Sequence, residues 1–202
     1  MALARDRIGP LVRDRTLERE RVRASGEDAA YSSYDAIVIG VRAFNVNARL
    51  PLAHQRLMEY VRAGGTVVAQ YNTKNWISKV PAEIGPYPFA ISQERVTDEN
   101  AKMELLDPAH PVVNKPNQIG ERDFAGWVQE RGLYFADTWD AIYQPIFAAH
   151  DPGEKPQKGG LLVAKHGKGS FIYTGLAFFR QLPAGVPGAY RLFANLLDHG
   201  ER

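Results

Sequence analysis

The chain has 202 residues, 45% of them apolar and 24% charged, the balance of one globular domain with a sizeable core. A formal net charge of +2 gives no electrostatic reason to expect nucleic acid or an anionic membrane as partner. Zero cysteines exclude disulfides, thiol catalysis and cysteine-held metal. No run approaches the ~18 consecutive apolar residues of a membrane helix, and the N-terminus lacks the apolar stretch of a signal peptide. A soluble chain is expected, with its compartment left open.

Residues 1–30 stand apart: Ala4 to Ala30 carry seven arginines and six acidic residues among scattered apolar side chains. The acids nearly cancel a basic arm, so this segment reads as a disordered or weakly helical tail, with a short solvated helix near Leu11–Val22. Residues 31–202 form the α/β domain. From Tyr34, "YDAIVIGV" is a continuous apolar, β-branched run that suits a strand covered on both faces. Asn47 is a candidate N-cap with Pro51 in the first turn, and Leu50, Ala53, Leu57, Tyr60 and Val61 then recur at helical spacing. Gly64-Gly65 closes that helix and "TVVAQY" comes next as a second strand, which makes a right-handed βαβ unit with parallel pairing.

The middle, residues 74–160, is rich in proline and aromatics and shows no long helical period. "KMELLD" and "AIYQPIFAAHD" read as strands joined by loops such as "IGPYPF" and "DPGEKPQKGG". "GGLLVAKHGKGSFIYTGLAFF" reads as a hairpin about the turn His166–Gly169. Pro187 opens a last helix whose apolar stripe is Ala189, Leu192, Phe193, Leu196 and Leu197.

Several patterns touch on chemistry. Ala-His-Pro at 109–111 is superficially similar to the Ala-His-Pro-Asp-Asp motif of zinc-dependent sugar deacetylases. That chemistry needs paired aspartates, and here Val112 and Val113 come next, so a structural turn is expected and no metal site. Nucleophile elbows of the Gly-x-Ser-x-Gly type are absent. Thr73 and Ser78 lie after the second strand with no base nearby in sequence, although His150 or His166 could fold back towards them. The stretch "GWVQERGLYFADTWD" sets Glu130, Asp137 and Asp140 among Trp127, Tyr134 and Trp139. It suits either sugar stacking with carboxylates on the hydroxyls, or a loop packed on the core by its aromatics. Finally, Arg42, Asn45, Tyr71, Asn72, Trp76 and Arg180 all lie just past strand C-termini, the ligand-binding edge of an open parallel sheet. They outline a shared crevice, or else serve only as caps and loop hydrogen bonds.

"YDAIVIGVRAFNVNARL", "GGTVVAQYNT", "GPYPFAISQERVTDENA", "GWVQERGLYF" and "DPGEKPQKGGLLVAKHGKGSFIYTGLAFFRQLPAGVPGAYRLFANLL" together carry a resemblance. From Tyr34 to Leu197 the chain resembles the class I glutamine amidotransferase-like domain that lies C-terminal to the catalytic domain of some bacterial PIG-L/LmbE-type N-acetylglucosaminyl deacetylases. The resemblance implies a flavodoxin-like, three-layer α/β fold related to the ThuA-like group, with a mostly parallel sheet, a C-terminal β-hairpin and a final helix. In true amidotransferases the nucleophilic cysteine sits after the strand matched by "TVVAQY", where this chain has Tyr71-Asn72-Thr73. The partner histidine and glutamate sit after the strand matched by "FIYTGLAFF", where it has Phe178, Phe179 and Arg180. Glutamine hydrolysis is therefore not expected.

The role this resemblance implies is a non-catalytic accessory module without cofactor. It would bind or position a glycan or amino sugar for a zinc deacetylase domain in the parent protein, with no nucleic-acid or membrane role. One alternative is an interaction or oligomerisation domain, such as a homodimer; another is a hydrolase using Glu130, Asp137 or Asp140 with His150 or His166. A flavodoxin-like sheet also begins with a β-α-β unit that residues 1–30 do not supply. A fragment or a mis-assigned start is expected, leaving strand 35–41 as an open edge.

Overall fold

The computed structural model describes residues 31–74, 80 and 83–200; the expectations for residues 1–30, Trp76 and Ser78 fall outside these. The chain divides into units Met1–Ser33 and Tyr34–Arg202, and the second holds the sheet and its helices. It opens with strand β1 (Ala36–Ile39), a short helix α1 (Ala43–Val46), helix α2 (His54–Arg62) and strand β2 (Thr66–Gln70). β1 and β2 pair in parallel, Ala36 against Thr66 and Ile39 against Ala69.

The helix begins later than its apolar spacing suggests. Asn47 closes α1 in an extended conformation, and its Oδ1 accepts the Arg49 N–H at 3.0 Å, so it caps a turn and not the helix. Pro51–Ala53 then form a 3-10 turn that leads into α2. Leu57, Met58, Tyr60 and Val61 face inwards from α2. Gly64 ends the helix at φ 121°, a conformation for which side chains with a Cβ are poorly suited.

The middle of the chain supplies short pieces: β3 (Phe89–Ile91), β4 (Arg95–Val96), β5 (Glu104–Leu105), β6 (Gly132–Leu133), β7 (Ala136–Trp139), β8 (Gln144–Pro145) and β9 (Phe147–Ala148). β3 pairs with β7, β4 with β6 and β5 with β9, all antiparallel. "KMELLD" thus yields a two-residue strand, and "AIYQPIFAAHD" is cut into two at Pro145–Ile146. The long hairpin is β10 (Leu161–His166) with β11 (Gly169–Thr174). Its second arm stops at Thr174; "FFRQ" is a short helix, α3 (Phe178–Gln181). Helix α4 (Pro187–Leu197) completes the domain.

The main sheet runs β1-β2-β11-β10-β8, with β11 parallel to β2 while β10 and β8 are antiparallel neighbours. It is therefore mixed, not mostly parallel, because the hairpin and β8 turn half of its pairings around. β1 ends the order, with no further strand beside it among the described residues. Val38, Val68, Ile172 and Val163 lie in register across one face and share a core with Leu192 and Leu196 of α4. On the other face Phe171 and Tyr173 meet Phe89, at ring-centroid distances of 6.4 and 4.9 Å. Burial on both faces is why these strands read as unbroken apolar runs. Among the described residues no helix is long and apolar enough to cross a membrane.

Two polar devices hold the irregular half. Arg131, 5% exposed, donates from Nε to the Ala101 carbonyl at 2.9 Å and from Nη1 to the Phe124 carbonyl, with its guanidinium 5.6 Å from both the Phe124 and Trp127 ring centroids. Its backbone N–H reaches Val96 O and its carbonyl accepts from Ala177, so separate segments of the chain meet at one residue. His110 is likewise buried; its Nδ1 accepts the Val112 N–H, which leaves Nε2–H to donate to Gln144 Oε1 at 3.0 Å. The Ala-His-Pro segment thus builds a capped 3-10 turn at Pro111–Val113.

A Cβ at Gly159 would stand 1.9 Å from the Ala136 carbonyl oxygen, across the bridge that joins these residues. Gly159→Ala is expected to lower stability in urea unfolding by about 1–3 kcal/mol, whereas Gly120→Ala, which meets open space, should stay within about 0.5 kcal/mol of the parent. Burial holds the His110 imidazole below its ordinary value. Its native form then binds a proton less readily than the unfolded chain. Stability is full above the unfolded histidine value of about 6.5 and falls as pH drops below it. The urea midpoint should decrease from about pH 7.5 to about 5.5, and His110→Gln should flatten that slope.

Candidate functional site

β1, β2 and β11 all end at the same edge of the sheet, the edge where ligands meet open parallel sheets. Their C-terminal tips are joined by a small network of main-chain and amide hydrogen bonds. Arg42 N–H donates to Tyr71 O at 2.8 Å, carrying the β1–β2 pairing past the strand ends. Phe44 N–H donates to Asn72 Oδ1 at 2.9 Å, and Asn72 Nδ2 donates to Gln70 O at 3.1 Å. Asn45 and Thr73 exchange two bonds: Thr73 N–H to Asn45 Oδ1 at 2.8 Å and Asn45 Nδ2 to Thr73 O at 2.9 Å. Both asparagines thus tie the strand tips together. Asn72, 0% exposed, has its amide turned wholly to the backbone.

This network holds Arg42 at φ 57° and ψ 15°, the left-handed region, where a residue with a side chain is strained by about 1 kcal/mol or more. The side chain is exposed, and its guanidinium has no ion pair or hydrogen bond among the described residues. Behind it, Tyr71 is buried and stacks on Tyr134 with ring centroids 5.5 Å apart and planes 18° from parallel; Phe179 leans on Tyr71 at 5.3 Å. Tyr134, itself at φ 54°, and Phe179 are half-buried.

Arg180, in the short helix α3 beyond β11, donates from Nε to Glu130 Oε1 at 2.6 Å and lies over the Phe179 ring at 4.8 Å. The segment carrying Glu130 is fixed by Gln181, whose buried amide accepts from Val128 N–H at 2.8 Å and donates to Val128 O at 3.0 Å. Burial raises the Tyr71 hydroxyl above its ordinary value, Arg42 and Arg180 act to lower it, and Tyr134 and Glu130 to raise it further. Tyr71 thus marks the place where these charges converge, and it stays protonated through the neutral range. Two residues on, the buried Thr73 Oγ1 has no hydrogen-bond partner among the described residues.

Among the described residues no imidazole or carboxylate is bonded to Thr73. His54 meets Gly85 O, His150 meets Asp151 O and His166 meets the Tyr87 hydroxyl. Among the described residues this edge gathers the Tyr71, Tyr134 and Phe179 rings, the Arg42 and Arg180 guanidiniums and the Glu130 carboxylate, groups suited to holding a ligand.

The two separate clusters read from the sequence partly merge here. Glu130 and Tyr134 come from the aromatic loop to join Arg42, Tyr71 and Arg180. Trp127 does not: it is 3% exposed, packed on Phe124 and Phe178, with its indole N–H donating to Asp123 O. Asp137 and Trp139 stand on β7, Asp137 exposed and Trp139 half-buried. Asp140 accepts the Ile142 N–H in a turn. Phe179 and Gln181 gave no signal of a site in the sequence, since only the fold brings α3 beside the 128–134 segment. A hollow of about 330 Å³, lined by His110, His199, Gln144 and Lys165, lies towards the opposite end of the sheet.

No family model and no curated protein matches the chain. Its fold is similar to the solved structure of the cytoplasmic protein STM3548 from Salmonella typhimurium, 18% identical over 93% of this chain and 87% of that one, TM-score 0.53. It is also similar to the cytoplasmic protein STM1381 from Salmonella typhimurium LT2, 16% identical over 84% and 73%, TM-score 0.51. A ThuA-like protein from Parabacteroides merdae ATCC 43184 aligns at 14% identity over 74% and 63% with a TM-score of 0.38, too loose to argue from. These likenesses establish an α/β fold with a mixed five-stranded sheet, and fold alone.

Asn72→Ala would strand the buried Phe44 N–H and Gln70 carbonyl. We expect a loss of about 1–3 kcal/mol in urea unfolding, together with faster hydrogen exchange at the Phe44 amide.

Proposed function

We propose that this domain is a non-catalytic binding module that takes a sugar in the crevice where β1, β2 and β11 end. The observation that carries the reading is the Tyr71–Tyr134 stack with Phe179 beside it, flanked by Arg42, Arg180 and Glu130. Aromatic surface suits the apolar face of a pyranose ring, and guanidinium and carboxylate groups suit its hydroxyls. The absence of a nucleophile–base pair among the described residues supports binding over turnover. In this reading the fold is a three-layer, flavodoxin-like relative of the amidotransferase and ThuA-like domains, without their chemistry. The module serves a PIG-L/LmbE-type zinc deacetylase by presenting a glycan or amino sugar to it.

A second reading, a protein-docking domain, is favoured by Val46 and Leu52, which stand 72% and 81% exposed on the segment between β1 and α2. Calorimetric titration with amino sugars and short glycans separates the two. Tyr134→Asn, which tolerates the left-handed backbone while removing the ring, should weaken sugar binding at least about tenfold, worth roughly 1.4 kcal/mol. If no sugar binds and the protein is a stable dimer in light scattering, the docking reading takes over.

A further inference from the structure

Of the two arginines at the crevice only one is committed. Arg180 is tied to Glu130 at 2.6 Å and lies over Phe179, so its charge is answered within the protein. Arg42 is exposed and unpaired among the described residues, although the backbone that presents it is held in a left-handed turn by hydrogen bonds between two strands' ends. Glycine would hold that turn without strain. An arginine in a strained position, with no ion pair or side-chain hydrogen bond among the described residues, is poorly explained by folding and well explained by a ligand.

We propose that Arg42 is a carboxylate-recognition residue and that the crevice takes a sugar ring bearing a carboxylate, a uronate-type ligand. The inference rests on the sugar-binding reading above and narrows it. A guanidinium offers two parallel N–H donors that match the two oxygens of a carboxylate. The half-buried Tyr134 and Phe179 rings lie beside the same tip for the ring's apolar face. With Arg180 paired to Glu130, Arg42 and the exposed Lys74, one residue past Thr73, leave net positive charge at this tip, part of which a carboxylate offsets. A phosphate monoester, with a charge of about −1.5 to −2, is the competing anion, and the titration separates the two.

The test is calorimetric titration of the full chain with glucuronate, galacturonate, glucose, N-acetylglucosamine, glucose 6-phosphate and acetate. A uronate is expected to bind at least about tenfold more tightly than the neutral sugars and to weaken with added salt. Arg42→Gly should abolish that preference while keeping or raising the melting temperature, because the strain is relieved. Glu130→Gln, which removes the one acid, should tighten uronate binding, whereas a purely structural Glu130 would weaken it on substitution. Equal affinity for neutral and acidic sugars, or uronate binding that survives Arg42→Gly, overturns the inference and leaves the sugar-binding module standing. Acetate as tight as uronate, or the phosphate tighter than both, also overturns it. If neither acidic nor neutral sugars bind, this inference and the sugar-binding reading fall together.

Discussion

The C-terminal edge of the sheet depends on two asparagine side chains that carry its hydrogen bonding beyond the point where the strands stop. A carboxamide offers donor and acceptor at once, which a carboxylate does not. Asn45 uses both on the backbone of Thr73, and Asn72 uses both on Phe44 and Gln70. Away from water such bonds are stronger, and leaving one unmade is costly. The tips of β1 and β2 are thereby fixed to one another, and Arg42 and Tyr71 take their positions from that clamp. The left-handed turn at Arg42 persists because its surroundings over-determine it.

The rest of the site is brought in from across the chain. The 128–134 segment is stapled to α3 by the buried Gln181, and the Arg180–Glu130 pair closes the outer side. An exposed ion pair contributes little to stability. With Glu130 largely covered and Arg180 about a third open, this pair has a second consequence: it answers one positive charge at this edge, while Arg42 has no ion pair among the described residues. At this edge of the sheet the chain has a tyrosine stack. The fold supplies the place, and the side chains decide what is done there.

The regular parts of the molecule were legible because they obey simple periods. The apolar run of β1, the 3.6-residue spacing of Leu57, Tyr60 and Val61, the hairpin of β10 and β11 and the stripe of α4 all stand near where patterning puts them. The start of α2 was misread because Asn47 has the same liking for turns as for helix caps. The middle was not legible because its order comes from single ties between residues far apart in sequence, which leave no repeating trace. The same holds for the site. Arg42, Tyr71 and Arg180 could be placed by the rule that ligands gather at strand C-termini. Sorting Tyr134 outwards and Trp127 inwards, neighbours in one irregular stretch, needed the three-dimensional packing itself.

Arg131 has a wider meaning for how this domain can be altered. A buried guanidinium answered by carbonyl oxygens cannot shed its charge, so the carbonyls of Ala101 and Phe124 must stay where they are. The segment between them has little regular secondary structure and would ordinarily be chosen for insertions, tags or permuted termini. Here it is bolted from within, one residue away from Glu130. Engineering that lengthens this stretch would register at the opposite wall of the crevice, in the grip on Arg180, before it registered in the sheet.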